Sequence, residues 1–119
     1  MYTGIADDLE WLQSWYANRC AELAGNEHQE VGLSIESIDN PGWWFRVPLD
    51  ASQAQRLAPG VLCVEGDPPS ETSLGSAEWL LCEIREGVFH GAGDPMKLHK
   101  IIRVFREAVV EAAKASDPG

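Results

Sequence analysis

The chain is short of positive charge. Its 119 residues hold 9 Lys and Arg against 19 Asp and Glu, a formal net charge of -10 at pH 7. Affinity for DNA or RNA comes largely from Lys and Arg neutralising phosphates, so this balance argues against a nucleic-acid partner. Attachment to an anionic membrane surface is disfavoured for the same reason. Long hydrophobic runs are also missing. No segment approaches the roughly 20 apolar residues of a membrane-spanning helix. The stretch from Met1 to Asp8 has neither the basic region nor the apolar run of a cleavable signal peptide. A cytoplasmic location is therefore expected. The three histidines, His28, His90 and His99, share no metal-ligand spacing, and Cys20, Cys63 and Cys82 form no CxxC pair. Zinc needs about four converging ligands, so no metal site is expected, and the cysteines read as three buried, reduced thiols. No phosphate loop, dinucleotide fingerprint or nucleophile elbow occurs, and no cofactor is expected.

What is present is enough for one domain spanning 1–119. At this length about two-thirds of the unfolded surface can be buried, so a core forms without disulfide staples. The acidic excess favours a basic protein partner. Five tryptophans, Trp11, Trp15, Trp43, Trp44 and Trp79, exceed what a core of this size needs, and exposed Trp is a frequent binding anchor.

Residues 7–24 read as an amphipathic helix, with Leu9, Leu12, Tyr16 and Leu23 on one stripe, an Asp7/Glu10 start and a Gly25-Asn26 stop. Apolar alternation predicts strands over 31–38 and 43–49, joined by a turn at Asp39-Asn40-Pro41-Gly42. In the second strand Trp43, Phe45, Val47 and Leu49 share one face, and Trp44 and Arg46 share the other. A short helical turn fits 52–60, and a strand fits 61–65. A loop at 66–76 precedes a strand at 78–85, a Glu86-Gly87 turn and a short strand at 88–90. A second helix is predicted over 94–115, capped by Asp94 with Pro95 in its first turn. Its stripe is Leu98, Ile101, Ile102, Phe105, Val109 and Ala112. The order helix, four to five strands, helix predicts a two-layer α+β domain. Its sheet is mainly antiparallel, with the N- and C-terminal helices packed on one face.

Two groups of residues are candidate sites. The open sheet face should carry Glu36, Trp44 and Arg46, with Trp79 extending the patch if its strand lies nearby; Trp and Arg are the types most enriched at interface hot spots. An Arg46–Trp44 stack could equally be a self-contained surface pair. The alternative is a catalytic or small-molecule site built from Glu27, His28, Asp39 and His90, with Trp43 walling a pocket. Such a site requires the fold to bring His28, Asp39 and His90 together.

The chain resembles the immunity protein 53 family of bacterial polymorphic toxin systems. The resemblance rests on Leu9-Glu10-Trp11-Leu12-Gln13-Ser14-Trp15-Tyr16 with Cys20, Glu27-His28, Ile38-Asp39-Asn40-Pro41-Gly42-Trp43, Trp79-Leu80-Leu81-Cys82 and Glu86-Gly87-Val88-Phe89-His90-Gly91-Ala92-Gly93. It continues through the closing helix from Leu98 to Phe105. Asn26 stands where the family usually has Trp, and 52–76 matches poorly. The resemblance implies an immunity-type protein that blocks a cognate toxin domain by binding, with no catalytic residue. The acidic charge fits a basic toxin.

Overall fold

The computed structural model describes residues 5–24, 31–39, 41–73 and 75–112. The candidates Glu27 and His28 lie outside these residues. The elements run α1 (Ile5–Glu22), β1 (Ser34–Ile38), β2 (Gly42–Pro48), α2 (Ala51–Arg56), β3 (Gly60–Gly66), β4 (Trp79–Arg85), β5 (Val88–Gly93) and α3 (Leu98–Val104). The chain continues from α3 into a π-helix over Phe105–Glu111. One five-stranded sheet has the order β1-β2-β5-β4-β3, and each neighbouring pair is antiparallel. This is the predicted two-layer α+β arrangement.

The alternation read in the sequence decides the two faces. Phe45, Val47, Leu80, Cys82, Ile84 and Phe89 point to the helical layer and are buried. Against them lie Leu12 of α1 and Ile101, Ile102, Phe105, Val109 and Val110 of the C-terminal helix. Phe105 is the hub: its ring meets Trp15, Phe89, Phe45 and Trp11 at centroid distances of 5.0, 5.2, 5.5 and 6.1 Å. These edge-to-face and tilted contacts add to simple area burial. The wider π turn lets Val110 share the buried side with Phe105 and Val109.

Several expectations are corrected. The strand expected over 88–90 is longer, running on through Gly91-Ala92-Gly93. The glycines are there because helix α3 crosses closely. A Cβ on Gly91 would lie 2.4 Å from Cγ2 of Ile101, and one on Gly93 would lie 2.7 Å from Cβ of Lys97. The second helix starts at Leu98, not at Asp94. Asp94 is 2% exposed and joins two elements instead. Its carboxylate accepts from the backbone N–H of Trp79 at 2.8 Å and of Met96 at 2.9 Å, and pairs with Lys97 Nζ at 3.0 Å. Burial alone would push its pKa up, but these donors and the Lys97 charge outweigh it and hold the carboxyl below the usual range. Asp8, in the first turn of α1, is also buried and ties α1 to α3 through Arg103 at 3.0 Å. Of the thiols only Cys82 is buried; Cys63 is partly covered and Cys20 is exposed. The short helix α2 has a complete capping box between Asp50 and Gln53.

Candidate functional site

Both long helices pack on one face of the sheet, and the register fixes what stands on the other. One cross-strand row reads Glu36, Trp44, Ala92, Leu81, Val64. The next reads Ser34, Arg46, His90, Glu83, Val61. Directly opposed residues on neighbouring strands share a face and touch, so each row is a ladder of side chains from one sheet edge to the other.

The middle of this surface is an aromatic and cationic stack. The rings of Trp44 and His90 lie 6.1 Å apart, tilted by only 17°. The Arg46 guanidinium carbon sits 5.1 Å from the centre of the Trp44 ring, within the range of a cation–π contact. Holding the guanidinium and the imidazole against one indole reduces the freedom each would lose on binding a partner. His90 is half-buried, and its Nδ1 has no hydrogen-bond partner among the described residues. Burial chiefly, then the charges of Arg85 and Arg46, push its pKa below the usual histidine value, against the opposing pull of Glu83 and Glu86. The imidazole is therefore neutral at pH 7, and it stands beside Arg46 without repelling it.

The flanks differ in character. At the β1 side stands Glu36, exposed. At the β3 side stand Val61 and Val64, 61% and 55% exposed. These two valines are an odd number of residues apart, yet they share a face because a bulge interrupts the register between Val61 and Cys63. Regular alternation places them on opposite faces, so the sequence carried no signal for this pair. The place of His90 beside Trp44 was likewise missed. It depends on the β2–β5 pairing, which joins segments far apart in the chain, although Val88, Phe89 and His90 alternate as a strand should.

Trp79 does not extend the patch. Its parity is that of the open face, but it opens β4 where the β3–β4 connection rejoins the sheet, and the residue is 4% exposed. Its N–H and C=O are both bonded to Asp94. Three other tryptophans, all half-buried, belong to the helical side: Trp11 and Trp15 pack on Phe105, and Trp43 donates its Nε1–H to the Pro95 carbonyl at 2.9 Å. Trp44 remains on the open face.

The alternative polar set is dispersed where it is described. Trp43 belongs to the helical face and His90 to the open one. Asp39 follows Ile38, which pairs with Gly42, whereas His90 pairs with Arg46. That offset along β2 is on the order of 13 Å at the usual strand rise. Direct proton transfer needs groups within hydrogen-bond reach, or one water apart. No group of three or more His, Cys, Asp or Glu able to hold a metal occurs among the described residues. No helix of the described residues is long and apolar enough to cross a membrane.

Comparison with protein families matches residues 9–110 to immunity protein 53. The match covers most of the chain, so the chain belongs to that family. No curated protein and no solved structure matches it.

Proposed function

We propose that this member of the immunity protein 53 family neutralises a cognate toxin domain of a bacterial polymorphic toxin system by binding it, in the cytoplasm, through the open face of the sheet. The observation that carries the reading is the stack of Arg46, Trp44 and His90, standing on the sheet face opposite the two long helices. Trp44 supplies a large rigid contact and Arg46 a fixed fork of donors. Glu36 and Glu83 flank them on the same rows. Blocking a toxin requires occupancy of its surface, not chemistry, and the dispersed polar residues are consistent with that.

The partner surface is basic. Among the described residues, Arg19, Lys97, Lys100, Arg103 and Arg106 are engaged in ion pairs within the chain. An approaching protein therefore meets a field set by the carboxylates, which steers a cationic surface and repels an acidic one. The test is growth rescue. The toxin domain encoded beside this gene is expressed with the wild-type chain or with a Trp44→Ala, Arg46→Glu double variant. Wild type restores growth and the double variant, checked for folding, does not. Failure of the wild type to rescue, or full rescue by the variant, overturns the reading.

A further inference from the structure

The two edges of the sheet are built differently. β3 is protected: a bulge breaks its register after Val61, and Glu65 points inward to a short ion pair with Lys100 at 2.7 Å. Bulges and inward charges are devices that keep an edge strand from pairing with another chain. β1 has neither. Its five residues pair with β2 in unbroken register. Its helix-facing side chains are uncharged, Ile35 and Ser37. Among the described residues no strand pairs with its outer edge.

Beside that edge runs an apolar cleft of about 330 Å³ between β1 and α1, lined by Leu9, Leu12, Gln13, Tyr16, Leu33 and Ile35. Leu9, Tyr16 and Ile35 are 45%, 45% and 38% exposed. A second cleft, of about 210 Å³, opens on the other side of Leu9 against Trp43, Pro95 and Met96. An edge strand with a helix-walled apolar groove beside it is the arrangement in which an extended peptide adds a strand: the free backbone groups give affinity, and pockets for alternate side chains give selectivity.

We infer that the β1 edge takes up an extended segment of a partner protein in which apolar and basic residues alternate. The pattern follows from the register. Residues opposite Ile35 and Ser37 of an added strand face the groove and are apolar. The residue opposite Glu36 faces the open side, where that exposed carboxylate selects Lys or Arg. The surface adjoins the open-face site at Glu36 but does not depend on the toxin reading.

The test uses defined peptides and the full chain, so its outcome is separable from growth rescue. Acetyl-Lys-Val-Lys-Val-Lys-Val-Lys-amide is titrated against the isotope-labelled protein. A segregated peptide of the same composition, acetyl-Lys-Lys-Lys-Lys-Val-Val-Val-amide, controls for non-specific attraction to the acidic chain. The alternating peptide binds saturably, at least tenfold more tightly than the segregated one, and slows amide hydrogen exchange in β1 but not in β3. Glu36→Lys weakens it two- to fivefold, the scale of an exposed ion pair, and Ile35→Asp weakens it more than tenfold, with folding of both variants checked by circular dichroism. Equal binding of the two peptides, protection at β3 instead of β1, or no saturable binding because residues of this chain already occupy the groove would each overturn the inference.

Discussion

At the scale of single residues, His90 shows how position changes chemistry. Its half-buried imidazole lies against Trp44 and beside Arg46, in the field of Arg85, where a further positive charge is unwelcome. In the unfolded chain it takes up a proton near 6.5; in the folded chain it does so only at lower pH. Between those two values the unfolded state binds more protons, so stability falls as pH drops below about 6.5, and the loss is complete below the folded value. Urea midpoints of the wild type should fall between pH 7.5 and 5.5 more steeply than those of His90→Gln. Identical slopes would show that His90 is not held neutral by this environment. Cys82 is the opposite case of a silent group. Burial, with lesser contributions from Cys63 and Glu65, pushes its thiol up to about 12, leaving almost no thiolate at neutral pH. Iodoacetamide at pH 8 should modify the exposed Cys20 in the folded protein and reach Cys82 only after unfolding, as read by peptide mass spectrometry.

At the scale of elements, what the sequence revealed and what it hid have separate physical causes. Strands β2 and β4 were legible with the correct faces because alternation is local: Phe45 and Val47, like Cys82 and Ile84, are set by the pleat alone. The Asp50 cap of α2 was hidden among other polar residues. Gly91-Ala92-Gly93 and Asp94-Pro95 misled for a shared reason. Glycine, Asp and Pro are local punctuation in most chains, but here they answer to distant neighbours. Gly91 and Gly93 make room for Ile101 and Lys97, and Asp94 ties the start of β4 to the approach of α3. Gly91→Val follows as an element-scale prediction. Its side chain would collide with Ile101 and with the Phe89 ring, and overpacking of this kind costs about 1–3 kcal/mol. Chemical denaturation should report that loss. The same change at Gly60, where nothing lies within 4 Å of a Cβ, should cause no collision and only backbone strain from its φ of +138°.

At the scale of the whole molecule, the charge of -10 and the tryptophan count both acquire a location. Part of the acidic charge is structural: Asp8, Glu65 and Asp94 hold the helical layer through Arg103, Lys100 and Lys97. Trp79 is buried, Trp11, Trp15 and Trp43 lie on the helical side of the sheet, and Trp44 lies on the open face. The residues of the proposed toxin-binding face are assembled by the β2–β5 pairing, which has no local sequence signal. Binding at this face, steered by charge, should weaken as ionic strength rises, because exposed charges are screened beyond about 8–10 Å at physiological salt. Trp44 is the central residue of the proposed toxin-binding face. Calorimetric titration of the neighbouring toxin domain into the wild type and into Trp44→Ala compares the two affinities. A central aromatic anchor is worth about 2 kcal/mol or more, so the variant, unchanged in its circular dichroism, is predicted to bind at least thirtyfold more weakly. An affinity equal to that of the wild type would contradict the assignment of the open face as the toxin-binding surface.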